Sequence, residues 1–223
     1  MSLVADNLKR VAASVPDGVV LVAVSKFHPA PRLMDAYVAG QRVFAESRAA
    51  ELVEKASTLP ADISWHFIGH LQTNKVRRIL PYVSLIQSVD SPRLLELIDS
   101  ESRRIGRVTD ILLEVTEGGD ETKSGFRPDD FEAFISGWRP ADSPGVRVRG
   151  LMGMASLTDD EAVIRSEFTA LRSLFDRVRS TVMAEADYFD TLSMGMSDDR
   201  DIAISCGSTM VRVGTDIFGH REY

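Results

Sequence analysis

Lysine at the end of an apolar run is the first place in this chain where chemistry could sit. Leu21, Val22, Ala23 and Val24 lead through Ser25 to Lys26, and Pro29 and Pro31 follow. A short β-branched apolar run suits a buried strand, and proline ends such a ladder because it has no N–H to donate. Lys26 is therefore expected where a core strand surfaces, on a rigid element and partly screened from water. That setting favours an amine that condenses with a carbonyl. The same stretch also allows a plain strand end with its ammonium in solvent.

Two later stretches could hold an anion. Ser193, Met194, Gly195, Met196, Ser197, Asp198 and Asp199 offer hydroxyls and a glycine just before a helix, and Arg212, Val213, Gly214 and Thr215 set a cation beside a glycine and a hydroxyl. Exposed N–H groups at a helix start, with Ser or Thr hydroxyls, make an anion cradle. The alternative is that the glycines serve turns and that Ser197 or the aspartates cap a helix. Asp198 and Asp199 would then complement its dipole.

Other candidates carry less. Residues 118–125 loosely resemble a phosphate-binding loop, but Thr122 stands where glycine must precede the lysine and no helix is expected at Ser124, so a loop bordering the site is expected. His28, His66, His70 and His220 lack metal-ligand spacing. His66, near a strand end, could touch a ligand or be a satisfied structural histidine. Met152, Met154, Met194 and Met196 are expected to pack the core.

The elements that must position these residues alternate. Strands are expected at 21–26, 42–45, 63–68, 84–88, 110–115, 146–152, 189–194 and 209–213. Helices are expected at 32–39, 46–59, 73–80, from Ser91 and Pro92 onward, 128–138, 159–184 and 198–205, with an extra one at 4–15. Strictly alternating strands and helices specify a parallel sheet. Eight units without a dinucleotide fingerprint favour an α/β architecture closed as a (β/α)8 TIM-type barrel, one domain over residues 1–223. On such a barrel, sites lie at the carboxyl ends of the strands, and phosphate binds near strands seven and eight.

Composition narrows the class. The chain has 223 residues, 44% of them hydrophobic, and a net charge of -7 from 26 basic and 33 acidic side chains. With no basic block, a nucleic-acid surface is not expected, although a local cationic pocket for a phosphate is compatible. Cys206 is the only cysteine, which rules out an internal disulfide and a cysteine-built metal site. A charged-then-apolar leader and a long apolar run are both missing, so a cytoplasmic protein with no membrane association is expected.

Several stretches, in order, resemble one family. They are Val24 to Lys26, Trp65 to Lys75, Lys123 to Gly125, Arg149 to Met152, Leu192 to Ser197 and Gly207 to Thr215. The whole chain resembles the pyridoxal phosphate homeostasis proteins (the YggS/PROSC family), which are similar to the N-terminal barrel domain of alanine racemase. The resemblance implies that Lys26 holds pyridoxal 5'-phosphate (PLP) as an internal aldimine. It implies that Arg212 faces the pyridine nitrogen, that Ser197, Gly214 and Thr215 bind the phosphate, and that Ser193 and Met196 line the pocket. An arginine opposite that nitrogen disfavours its protonation and makes the ring a poorer electron sink. Where the family commonly has Gly-Glu-Asn, this chain has Ala45, Glu46 and Ser47. Serine is shorter and lacks the amide.

The comparison with racemases sets the expected function. Those enzymes carry a second, β-rich domain whose tyrosine serves as a base in the partner subunit's site. This sequence ends at Tyr223, soon after the eighth expected strand, so two-base racemisation lacks one base. A carrier or buffer of PLP, acting in cofactor homeostasis and through it on amino-acid and keto-acid balance, is the leading expectation. Apo forms of PLP-dependent enzymes are its expected acceptors, and a monomer is expected. A weak PLP enzyme acting on amino acids is the second reading, and a Schiff-base aldolase is the third.

Overall fold

The structure, a computed structural model, describes residues 2–116 and 125–219. Its strands are β1 (Val20–Val24), β2 (Val43–Glu46), β3 (Ser64–Phe67), β4 (Val83–Val89), β5 (Thr109–Glu114), β6 (Val146–Met152), β7 (Thr191–Ser193) and β8 (Met210–Val213). Each pairs in parallel with the next, and β8 closes on β1 through Val20 to Ala23 opposite Met210 to Val213. The helices are α1 (Leu3–Ser14), α2 (Ala30–Val38), α3 (Ala49–Thr58), α4 (Val76–Ile79), α5 (Pro92–Arg104), α6 (Pro128–Gly137), α7 (Glu161–Ser180), α8 (Arg200–Ser205) and α9 (Thr215–Phe218). The expected (β/α)8 barrel is the observed fold, and the extra first helix α1 docks on α9, where the Asn7 side-chain amide donates to the Ile217 carbonyl at 3.2 Å.

Two apolar layers follow from the period of two along each strand. Outward residues such as Ala23, Trp65, Phe67, Leu192, Val211 and Val213 join one core with the helices. Inward residues Val22, Val24, Ala45, Leu85, Leu112, Met152 and Met210 form a smaller cluster inside the barrel. Stepping along the inward positions reaches polar groups: Gln87 after Leu85, Glu114 after Leu112, Arg212 after Met210, and Lys26 two residues beyond Val24. The parity of the apolar residues thus aims these side chains at the carboxyl end of the barrel.

Several boundaries differ from the sequence expectation. Glu46 does not open a helix; it ends β2, opposite Phe67, and its carbonyl accepts the Ile68 N–H at 3.0 Å. The expected helix 73–80 is a 3-10 turn, Thr73–Lys75, followed by the short α4. The seventh strand is three residues long, because Phe189 leaves the ladder to stack on Phe175. The long seventh helix starts at Glu161, where the Asp160 carboxylate caps it by accepting from Ala162 and Val163, and it stops at Ser180. A further short helix, α9, follows β8 beyond the expected elements. Among the described residues, no helix is long and apolar enough to cross a membrane.

Candidate functional site

At the carboxyl end of the barrel, a cavity of about 210 Å³ gathers residues from several strand ends and the segments that follow them. Lys26 enters it just past the end of β1, Arg212 from β8, Met196 and Ser197 from the loop after β7, and Gly214 and Thr215 from the start of α9. Larger grooves, of about 700 and 470 Å³, run outside the barrel along residues 70–97. They bring no lysine to a strand end, so the smaller cavity is where the chemistry converges.

Arg212 is buried at the floor of this cavity. One of its terminal nitrogens donates to Ser193 Oγ at 2.7 Å and the other to the Gly153 carbonyl at 3.0 Å. A guanidinium only donates, so the Ser193 hydroxyl accepts from it and directs its own hydrogen to Gln87 Oε1, 2.7 Å away. The Gln87 amide nitrogen then faces His66 Nδ1 at 2.9 Å. Donor and acceptor roles are thereby set along the whole chain of bonds: Nδ1 accepts, and the His66 proton resides on Nε2. Burial pushes His66 down to about 4, so it is neutral near pH 7. Burial also lowers Arg212, to about 10, against the pull of the Glu114 and Asp199 charges, and leaves it cationic.

Lys26 is held from behind by a different set of groups. Its neighbours Ser25 and Phe27 are both tied to side chains of β2 and α3. The buried Lys55 ammonium donates to the Ser25 carbonyl at 3.0 Å, to Glu46 Oε1 at 2.7 Å and to Glu51 Oε2 at 3.2 Å. Ser25 Oγ donates to the same Glu46 oxygen at 2.6 Å, and the Phe27 N–H donates to Glu51 Oε2 at 2.9 Å. Phe27 has φ 68°, a left-handed conformation that a non-glycine residue adopts at a cost. The Arg48 guanidinium covers its ring at 4.4 Å. Burial pushes the Glu46 carboxyl up to about 7, although Lys55 and Ser25 pull it down, and its second oxygen is buried with no hydrogen-bond partner. Burial raises Glu51 as well, but the Phe27 N–H and Lys55 outweigh it and hold that carboxyl below its usual range.

On the opposite wall, the loops after β7 and β8 are fastened together. Gly195 has φ 94°, and a Cβ there would lie 2.6 Å from the Ala203 Cβ, so only glycine fits the turn. Asp199 holds the turn by accepting the Met196 N–H at 2.5 Å, and its side chain does not cap α8 as the sequence suggested. Arg200 donates to the Ser197 carbonyl at 2.9 Å and pairs with Asp216 on α9. Ser197, Gly214 and Thr215 therefore share a braced surface.

Of the residues picked from the sequence, Lys26, Met196, Ser197, Arg212, Gly214 and Thr215 share the cavity. Ser193 lies one layer below, fully buried behind Arg212. Met152 and Met194 pack the interior as expected, but Met154 and Met196 are 42% and 40% exposed and stand at the cavity mouth. Packing needs neighbours on all sides, and the strand-end loops offer none there. His28 stacks on Phe218, and His70 bonds Asp90 at 3.1 Å in the open. The phosphate-loop-like segment, apart from Gly125, and His220 lie outside the described residues. Sequence reading passed over Glu46, Glu51, Lys55, Gln87 and Arg200. Glu51 and Lys55 have the spacing of an ordinary surface pair on a helix, which hides them. Gln87, a polar residue in the apolar rhythm of a buried strand, was the legible signal.

The family model for the alanine racemase N-terminal domain matches residues 1–222. A pyridoxal phosphate homeostasis protein from Pasteurella multocida is 35% identical over 215 residues, covering 95% of this chain and 91% of that protein. The structure of PipY of Synechococcus elongatus with PLP bound superposes with a TM-score of 0.87 at 34% identity, covering 97% of this chain and 100% of that one. Alanine racemase from Streptomyces lavendulae shares the fold, with a TM-score of 0.79 at 18% identity, over 97% of this chain and 56% of the racemase.

Proposed function

This chain belongs to the pyridoxal phosphate homeostasis proteins, built on the alanine racemase N-terminal domain, and from that premise we propose that Lys26 is where it holds its cofactor, PLP. The observation that carries this reading is the convergence of the Lys26 amine, the Arg212 guanidinium and the Ser197–Thr215 wall on one cavity. The donor set suits the cofactor's chemistry: an amine for an aldehyde, a fixed cation for a ring nitrogen, and hydroxyls with backbone N–H groups for a phosphate. When bound, PLP supplies an aldehyde carbon that accepts an amine and a conjugated ring that can draw electrons from a linked substrate. Lys26 would hold the cofactor through its side-chain amine, the one group in the lining that could condense with that aldehyde with loss of water.

Arg212 cannot accept a hydrogen bond, and the bonds to Ser193 and Gly153 fix its plane. A cation held there keeps the ring nitrogen unprotonated and weakens its draw on electrons. Ser193 serves by holding Arg212. Ser197, Gly214 and Thr215 take the phosphate. A carrier that retains PLP and passes it to apo-enzymes fits this design better than a racemase.

Borohydride reduction of the loaded protein followed by peptide mapping tests the attachment: the pyridoxyl group is expected on Lys26, and a label on Lys75 alone would overturn it. Solvent deuterium exchange at the α-carbon of L- and D-amino acids tests the carrier role. Little exchange, with PLP passing to an apo-enzyme, is expected; rapid exchange with inversion would make the protein a racemase.

A further inference from the structure

Lys26 has a tethered residue on either side. Before it, the Ser25 carbonyl accepts from Lys55, and the Ser25 hydroxyl donates to Glu46. After it, the Phe27 N–H donates to Glu51, which Lys55 also grips. One buried ammonium therefore touches oxygens that govern both backbone neighbours of Lys26. It does so from α3, an element with no residue in the cavity itself except through these bonds. Phe27 needs such a hold, because its left-handed φ is otherwise unfavourable for a residue with a side chain. Released, the backbone at 26–27 would relax and redirect the Lys26 side chain, and its parity with Val24 would no longer aim it inward.

Buried ion pairs are poor devices for stability, since desolvation offsets most of the attraction. Their presence directly behind a candidate nucleophile points to a local role. We propose that Lys55, with Glu46 and Glu51, is a positioning set that fixes the attack direction of the Lys26 amine and so governs covalent capture of PLP without touching it. This rests on the reading of Lys26 as the attachment point.

The test separates covalent capture from the rest of binding. PLP is titrated against the full-length protein by absorbance and calorimetry, beside pyridoxine 5'-phosphate, which has the same ring and phosphate but no aldehyde. Glu51→Ala is expected to weaken PLP at least tenfold while changing the affinity for pyridoxine 5'-phosphate less than twofold. Glu51→Gln keeps a carbonyl acceptor for the Phe27 N–H and is expected to recover most of that loss. Lys55→Met should behave like Glu51→Ala; should it fail to fold, Glu51, whose side chain is 22% exposed, still decides the matter. On a Lys26→Ala background, Glu51→Ala should have no further effect on PLP. Parallel loss of both ligands would mean that the set merely supports the pocket, and unchanged PLP affinity in a folded Glu51→Ala protein would mean that it does nothing; either overturns the proposal. Failure of the attachment reading itself looks different: the wild-type protein would bind both ligands alike.

Discussion

Two polar networks meet the same cavity and are built on opposite principles. Beneath Arg212, the chain through Ser193, Gln87 and His66 carries one charge, at its cavity end, and all its donors point away from that charge. Nothing in it titrates close to pH 7: Arg212 is at about 10 and His66 at about 4. Behind Lys26, the set of Lys55, Glu46 and Glu51 packs three ionisable groups into a few ångströms, with Glu46 at about 7. The chain under Arg212 leaves no buried side-chain atom without a partner, whereas the set behind Lys26 leaves one Glu46 oxygen so. A network whose polarity is dictated by a donor-only cation holds its geometry across pH. One built from opposed charges holds it only while the protons stay where they are. In the folded protein the Arg212 end of the cavity therefore keeps its protonation near pH 7, and the Lys26 end does not.

The largest expected effect strikes the charged set. Lys55→Met strands Glu46 in the core, and removing one partner of a buried pair costs about 3–5 kcal/mol. Urea denaturation at pH 8 should show that loss. At pH 5 it should shrink, because Glu46 then enters the core as the neutral acid. An equal loss at both pH values would erase the contrast with the chain under Arg212.

Gln87→Leu attacks the other network. It leaves the Ser193 hydroxyl hydrogen without an acceptor and His66 Nδ1 without a donor, at a cost of about 1–3 kcal/mol each, and the loss should be the same at pH 6 and pH 8. A loss that varies across that range would show that the chain does titrate.

The pH profile of stability sharpens the comparison further, because the two regions pull in opposite directions. Between the ordinary 4.5 and about 7, the folded chain keeps a proton on Glu46 that the unfolded chain has released. The stability contributed by that group is therefore present below 4.5 and lost as pH rises through 7. Between about 4 and the ordinary 6.5, the unfolded chain binds a proton that folded His66 excludes. Its contribution is present above 6.5 and lost as pH falls through 4. The wild-type profile from pH 5 to 6.5 should accordingly be flat. Glu46→Gln should leave a rising slope and His66→Asn a falling one in urea midpoints, and two flat variants would refute both assignments.

Ser25→Ala is the mildest change. It removes one donor to Glu46 and should cost about 1 kcal/mol. Because that donor stabilises the charged carboxylate, its loss should also move the Glu46 transition to higher pH, which carboxyl NMR titration would read.

The barrel and most of its site were legible because they rest on local rules. Alternating apolar periods gave the eight strands and the intervening helices, and the ends of the first and eighth strands marked Lys26 and Arg212 as site candidates. Glycines and hydroxyls beside the last two strands marked the residues that line the cavity wall opposite Lys26. Boundaries were less legible: residues 46–59 have helical spacing throughout, yet Glu46 is claimed by β2 because Ser64 to Phe67 offer it a ladder.

What sequence alone determined is therefore the parity of each element and the chemistry its end can present. Only the tertiary structure decided which polar residues meet. Lys55 is nine residues from Glu46 and thirty from the Ser25 carbonyl, and Gln87 lies over a hundred residues from Ser193. No local pattern distinguishes a lysine that will be buried against two glutamates from one left in solvent. Closing the barrel removes water from both networks at once, and that desolvation, absent from any stretch of sequence, turns ordinary polar side chains into fixed donors and shifted acids.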